Sequence, residues 1–359
     1  MLKNLSLALI LVISSARRID IREDEDMLSA VSCKAYTCKT SNVTIPSGSC
    51  GVVVNSNVYL KPCSTVDPTT SYCNYTNFNF TCTATPTSSS LQNYPGEPCS
   101  TQSDCKFGTC TKSVCTGVSK GSSCVIHEQC SPGLRCSSGG VCVDQLAIGV
   151  SGCRSYADCV NYASCNATYS SSNGVCTQYH SVANGLVVTD CENGFSEMCA
   201  TGYCIKTGSW FGQLGTCAIA PTSTKTMPVS CAQNTDCLGT DGTNMMLSSC
   251  QCGYNSGAKS YCSAFIGDTP GQNLLSMWLK ALKASASICN TVRRDADPCL
   301  SLIGYLDYIT AADFYWNYYS QVQGNDLCVQ NILTKAYWAY ATDSAYLITF
   351  GVLLISLWI

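Results

Sequence analysis

Apolar residues along the chain fall into distinct patterns, and each pattern predicts a different kind of element. Leu5 to Ile13 form an apolar run broken only by Ser6, behind the basic Lys3 and ahead of the small residues Ser14, Ser15 and Ala16. This is the build of a secretory leader, cleaved after Ala16 and too short to span a bilayer. Between residues 30 and 85 the apolar stretches are short and β-prone, notably Gly51-Val52-Val53-Val54 and Asn57-Val58-Tyr59-Leu60, with turn residues between them. After Pro270 the period changes to that of a helix. Leu275, Trp278, Leu279, Leu282, Ala286 and Cys289 step by three and four. Asp297-Pro298 then makes a strong helix start, with Cys299, Leu302, Ile303, Leu306 and Ile309 on its apolar face. A third helix is expected from Asn325-Asp326 through Cys328, Ile332, Leu333, Ala336, Tyr337 and Tyr340. The run Phe314-Tyr315-Trp316-Asn317-Tyr318-Tyr319 sends Tyr315, Tyr318 and Tyr319 toward this bundle at helical spacing, with an interaction site as the competing reading. The chain ends in Ala345 to Ile359 without a charge.

Between the β-prone and helical regions, cysteine replaces apolar periodicity as the ordering signal. Units open with Cys, five residues and Cys, then carry two more: 99, 105, 110, 115; then 124, 130, 136, 142; then 153, 159, 165, 176. A looser fourth unit follows at 191, 199, 204, 217, and a fifth at 231, 237, 250, 252, 262 has one cysteine extra. Asp precedes the second cysteine at Asp104, Asp158 and Asp236, and Val precedes the fourth at Val114, Val141 and Val175. Such self-similarity means an array of units, each too small for its own core. Four cysteines allow three pairings, and spacing does not choose among them. The interlocked one, Cys99 with Cys110 and Cys105 with Cys115, is taken as the expectation because it leaves the least freedom. The odd counts of the fifth unit and of the helical region (Cys289, Cys299, Cys328) imply a bridge between those two regions, if pairing respects the other boundaries.

The predicted fold class is therefore small and disulfide-rich: an array of short β-hairpin and loop units stapled by disulfides, followed by a small α-helical module. The segments are a signal peptide (1–16), a flexible mature N-terminus (17–32), a six-cysteine β-rich module (33–82) and a Ser/Thr/Pro linker (83–98). Five cysteine-rich repeats (99–262), a three-helix module (270–341) and a hydrophobic anchor signal (345–359) complete them.

Composition narrows the chemistry. With 30 Cys and 12% charged residues, covalent cross-links stand in for a continuous apolar core. The even count, with no cysteine in the leader and no Cys-x-x-Cys, points to disulfides in an oxidising compartment and away from zinc or redox exchange. A net charge of −3 without basic clusters gives nucleic acid no footing. His127 and His180 sit in a cysteine loop and a polar connector, where solvation is expected of both, and no catalytic, cofactor or metal constellation is legible. Glu23-Asp24-Glu25-Asp26 reads as a solvated run. Asn42, Asn74, Asn79 and Asn166 are glycosylation candidates. The tail would span only about 22 Å as a helix and has no basic flank after it. Behind Thr342, Asp343 and Ser344 it suits a signal for glycosylphosphatidylinositol attachment at one of those residues, although the usual polar spacer is nearly absent. A retained membrane helix and a buried last helix are the alternatives.

The stretches GEPCSTQSDCKFGTC, GSSCVIHEQCSPGLRC and CQCGYNSGAKSYC, within Gly96 to Cys262, resemble the cysteine-rich surface proteins of ciliated protists in rhythm. The units are also similar to the amino-terminal cysteine-rich part of Dickkopf-type ligands, but the adjacent Cys-Cys pairs of the colipase-like fold are missing. The first resemblance implies a signal-led, lipid-anchored protein of the extracellular face. The expectation is a non-enzymatic coat, adhesion or recognition protein, a stalk of stapled units above an anchored helical module, with the membrane and protein or glycan molecules as partners. A soluble secreted ligand or inhibitor with a buried C-terminal helix is the alternative.

Overall fold

The structure, a computed structural model, describes residues 30–333 apart from 39–41, 64–71, 75–78, 84–91, 168–173, 193, 208–213 and most positions from 306 to 326. The leader, most of segment 17–32, the tail and the attachment candidates Thr342, Asp343 and Ser344 lie outside the described residues, as do Trp316, Tyr318 and Tyr319. All the cysteines are joined, in 15 disulfides, and the regular elements are short two- and three-stranded sheets with few helices. The fold class is disulfide-rich, as its cysteine rhythm predicts.

Within each of the five units the first cysteine bonds the third and the second bonds the fourth. Cys99 joins Cys110 and Cys105 joins Cys115 in the first. The same interlock recurs through Cys124–Cys136 with Cys130–Cys142, and through Cys153–Cys165 with Cys159–Cys176. It continues in Cys191–Cys204 with Cys199–Cys217, and in Cys231–Cys250 with Cys237–Cys262. A hairpin carries the third and fourth cysteines, so each pair faces its partner across an antiparallel register, as Cys110 faces Cys115 and Cys165 faces Cys176.

The recurrent side chains have local jobs. The Asp before the second cysteine accepts the two backbone N–H groups that open the five-residue loop, which no secondary structure satisfies. Asp104 takes those of Ser100 and Thr101, Asp158 those of Arg154 and Ser155, and Asp236 those of Ala232 and Gln233. These bonds, Thr101 N–H first, hold the Asp104 carboxyl below its ordinary range, and the Ala232 N–H leads the same effect at Asp236. In the second unit Gln129 does the work of the Asp, accepting from Val125 at 2.6 Å. The Val before the fourth cysteine pairs with the segment ahead of the first, as Pro98 with Val114, Ser123 with Val141 and Ser151 with Val175. A glycine at positive φ (Gly96, Gly121, Gly149, Gly185) turns the chain into units one to four and donates its N–H to the carbonyl of the fourth cysteine.

Consecutive units are coupled by one residue that straddles the next unit's second cysteine: Val118 beside Cys130, Leu146 beside Cys159 and Val182 beside Cys199. The same bridge joins Asn93 to Cys105, so residues 92–98 belong to the first unit and not to the linker expected over 83–98. Val31 likewise donates its N–H to Ala232 of the fifth unit, which brings the end of the expected flexible segment 17–32 into the fold.

Two features of the expected architecture are overturned. First, no disulfide ties the helical region to the repeats. Cys289 bonds Cys299 locally, Cys328 bonds Cys38, and the extra Cys252 of the fifth unit bonds Cys33. The six-cysteine module closes only Cys50–Cys73 and Cys63–Cys82 internally and sends two cysteines outward. Its sheet, Ala35–Thr37 (β1), Gly51–Val54 (β2) and Asn57–Leu60 (β3), has the order β1-β3-β2. Asn55 and Ser56, both at positive φ, make the turn between β2 and β3. Val58 and Leu60 meet Tyr36 and Phe80 in a core completed by Val329, Ile332 and Leu333 from the helix Leu327–Leu333.

Second, the helical region is not a base beneath a stalk; it runs along the array. Thr269–Ser285 (α1) and Asp297–Leu302 (α2), with the turn between them, touch units one to four, and Asp268 just ahead of α1 reaches the segment leading into the fifth. Asp268 accepts from Ser223 ahead of the fifth unit, and Leu275 packs on Gly202 and Tyr203 of the fourth. Trp278 packs on Tyr179, and Asn161 of the third unit donates to the carbonyls of Ser285 and Cys289. Asn290 donates to Cys130 O of the second unit at 2.9 Å. Arg293 pairs at 3.1 Å with Glu97 of the first. Units with three-residue strands leave many carbonyls unpaired, and buried ones need donors from outside. The turn after α1 supplies them.

Arg294 is the focus of this seam. It is 3% exposed. Its guanidinium donates to the carbonyls of Tyr156 (2.6 Å), Asn161 (3.1 Å), Ala163 (2.8 Å) and Thr291 (2.7 Å), and to the hydroxyls of Thr291 and Tyr179. Lysine keeps the charge and loses the planar fork. Arg294→Lys is therefore expected to lower stability by about 3 kcal/mol, because several buried carbonyls lose their donor. Lys120→Ala, which removes an exposed pair with Asp144, should change it by less than about 1 kcal/mol. Guanidinium unfolding with disulfides intact measures both, and equal small losses would show that the fork is not what holds the seam.

Candidate functional site: a polar cleft between the third and fourth units

The fourth unit departs from the common pattern, and the departure builds a cleft. Seven residues separate Cys191 from Cys199, and buried Met198 stands where the other units place their capping Asp or Gln. Asp190, ahead of the first cysteine, takes over. It accepts the Met198 N–H at 3.1 Å and the Ser196 hydroxyl. Its carboxylate and that of Glu197 consequently face the third unit. A cavity of about 450 Å³ lies between, lined by Arg154, Ser155, Tyr156 and Ser164 of the third unit, Asp190 and Glu197 of the fourth, Tyr179 and Thr189 from the connecting segments, and Trp278, Arg294 and Asp295 of the helical region.

Its electrostatics follow from crowding. Burial first, then the charges of Asp295 and Asp190, push the Glu197 carboxyl up to about 7, against the opposing effects of Arg294 and a hydrogen bond from Tyr179. Burial raises Asp190 as well, and raises the Tyr179 phenol. Arg294 lies in contact with one face of the Tyr156 ring, 5.0 Å from guanidinium carbon to ring centroid.

A second hollow of about 650 Å³ adjoins the first and shares Arg154 and Ser155 with it. It runs over the Cys-x5-Cys loop of the second unit, past Ile126, His127 and Glu128, to Ser137, Ser138 and Asp158. Arg135 there is paired with Asp158 at 3.1 Å. The Arg154 side chain, by contrast, is exposed and makes no hydrogen bond or ion pair among the described residues.

The two histidines are placed differently from one another. His127 is half-buried and accepts the Cys136 N–H at Nδ1, 3.2 Å. His180, expected to be solvated, is instead packed edge-on to Trp278 at 5.3 Å, and burial drives it down to about 4. Its Nδ1 donates to Cys199 O at 3.3 Å, while Nε2 is buried with no hydrogen-bond partner. Groups of three Sγ atoms within 4.8 Å occur in the units and in the first module. All are half-cystines brought together by interlocked bridges, and a half-cystine has no thiolate to offer a metal.

Of the glycosylation candidates, Asn42 and Asn79 are exposed, and Asn74 is half-buried in the strand Tyr72–Asn74. Asn166 is half-buried at the joint of units three and four, where its amide donates to Val187 O at 3.4 Å and accepts from Thr189 Oγ1 at 3.2 Å. Sequence reasoning placed Trp278 on the buried face of a helix and passed over the polar residues of the cleft. The one available signal was the missing Asp before Cys199.

No protein-family model matches the chain, and no curated protein or solved structure matches it either.

The opposed titrations of Glu197 and His180 have a measurable consequence. The folded state keeps a proton on Glu197 that the unfolded chain releases above about 4.5, so this contribution to stability is lost as pH rises to about 7. The folded state refuses His180 a proton that the unfolded chain takes below about 6.5, so that contribution is lost as pH falls to about 4. Between about 4.5 and 6.5 the two slopes, each about 1.4 kcal/mol per pH unit, oppose and cancel. Read as differences from the parent protein, Glu197→Gln should gain stability as pH rises through that window and His180→Gln should lose it. Guanidinium midpoints from pH 4 to 7.5 test this, and two variants that track the parent at constant offset would contradict it.

Proposed function

We propose that the protein is a non-enzymatic recognition or coat protein of the cell surface, glycosylated and held at the extracellular face by a C-terminal lipid anchor. The observation that carries the reading is the complete disulfide pairing, which belongs to an oxidising, extracellular or secretory environment. The leader Met1–Ala16 and the uncharged run Ala345–Ile359 supply the route and the attachment signal. No described helix is long and apolar enough to cross a membrane.

The chemistry-bearing side chains of the described residues are committed to structure, which favours a non-enzymatic role. Nucleophilic catalysis needs a free thiol or hydroxyl beside a base that is itself oriented. The cysteines are bonded, His127 is engaged by a backbone N–H, and the His180 ring is buried against Trp278. What the cleft offers is a fixed set of polar groups and aromatic rings, which is the equipment of a binding site. Asn42 and Asn79, being exposed, are the first positions expected to carry glycan.

Treating intact cells with phosphatidylinositol-specific phospholipase C is expected to release the protein, with a C-terminal peptide ending at Thr342, Asp343 or Ser344 by mass spectrometry. Recovery of an intact Ile359 in freely soluble protein would overturn the anchor and leave the soluble ligand or inhibitor as the reading to pursue.

A further inference from the structure

We propose that the two hollows meeting at Arg154 and Ser155 form one groove that binds a neutral, hydroxyl-rich glycan chain. This deepens the recognition reading above and rests on it.

Three observations carry the inference. The hollows, about 650 and about 450 Å³, lie side by side with Arg154 and Ser155 lining both, and each is within the size range of small-ligand sites. An extended chain of several sugar rings suits such a pair better than a single compact molecule. The lining is dominated by hydroxyl, carboxylate and guanidinium groups. Carboxylates and a planar guanidinium recognise paired hydroxyls through two hydrogen bonds at once, and serine hydroxyls both give and accept them. Tyr156 supplies the flat apolar element. Arg294 lies against one face of its ring, and the residue remains 45% exposed on the wall of the smaller hollow, next in sequence to the shared Arg154 and Ser155. An aromatic ring that is packed against a cation and still partly exposed offers a stacking surface for the C–H face of a sugar.

Charge selects the kind of glycan. Arg135 and Asp158 neutralise each other, which leaves Arg154 and Arg294 against the carboxylates of Glu128, Asp190 and Asp295, with Glu197 joining them as pH rises through about 7. Sulfated or uronic chains would meet an excess of carboxylate. A basic peptide would meet the unpaired Arg154 at the centre and would find no deep apolar hollow for its side chains.

The test is binding of the purified mature protein to immobilised neutral, sialylated and sulfated oligosaccharides and to a Lys/Arg-rich peptide, followed by calorimetry on the best neutral chain. Binding is expected for neutral chains alone. Tyr156→Ala should weaken it by about tenfold, Tyr156→Phe should restore it, and Arg154→Gln, at an exposed position, should weaken it with the melting temperature unchanged. Preference for anionic glycans or for the peptide, or binding unaffected by both Tyr156→Ala and Arg154→Gln, overturns the groove. Phospholipase release is read separately. Released protein that binds no neutral glycan sinks this inference alone, and soluble protein with an intact tail that binds one retains the groove while the anchor fails.

Discussion

A chain whose strands are this short must still remove backbone from water, and the Arg294 guanidinium is where that requirement is met most densely. Four carbonyls and two hydroxyls converge on it in a site 3% exposed. None of the bonded partners is a carboxylate, so the cation is stabilised by dipoles and by the more distant charges of Glu197 and Asp295. The third unit is attached through this arrangement: the carbonyls of Asn161 and Ala163, and that of Tyr156, which also accepts the Cys159 N–H, converge on the one guanidinium. Asn161 and Asn290 repeat the device at neighbouring loops. Removing water from a seam of this kind is favourable only when every donor and acceptor is matched, which makes the seam specific as well as stable.

The interlocked bridges solve the complementary problem inside each unit. Two crossed disulfides over about ten to twenty-five residues restrict the unfolded chain by roughly 2–4 kcal/mol each. They do not satisfy the loop they close. That falls to the side chain before the second cysteine and to the glycine that turns the chain into units one to four, which is why those positions recur while the loop residues between them vary. Gly96 illustrates how little tolerance remains: a Cβ there would lie 2.1 Å from the carbonyl oxygen of Ile288 in the helical region. The local rules of the units and the docking of the helical region thus meet at the same residue.

The disulfide-rich class and the repeated hairpin units were legible, since cysteine rhythm and the flanking Asp and Val are local signals with local causes. The helical period from Leu275 to Leu282 was legible for the same reason, and α1 buries Leu274, Leu275, Trp278 and Leu282. Long-range closure was not. Parity ties the fifth unit to the helical region only if the first module is complete, and nothing local in Cys33 or Cys38 says that they reach across 219 and 290 residues. The seam escaped for a different reason. Asn161, Asn290 and Arg294 look like ordinary surface residues, because what makes them interior is the geometry of carbonyls contributed from other units. His180 was misjudged in the same way, its polar sequence context hiding the Trp278 ring that covers it.

The cleft arises from the same constraint under a local exception. Where the capping acid precedes the second cysteine, one carboxylate oxygen is held by the N–H groups of its own loop, and at Asp158 the other pairs with Arg135 of the second unit. In the fourth unit the longer loop and Met198 make that impossible, and the cap comes from Asp190 on the other side of Cys191. Two carboxylates then face the third unit just where the turn after α1 brings Arg294 and Asp295. Burial and then the Asp295 charge raise Glu197 first, and Asp190, placed there to satisfy Met198 N–H, adds to them, so the hollow is lined by groups with fixed structural duties. A site assembled this way is preorganised, because moving its walls would break the cap of the fourth unit or the fork of Arg294. Such rigidity lowers the ordering cost of binding a flexible, hydroxyl-rich chain, whose own entropy loss is the main term opposing its capture.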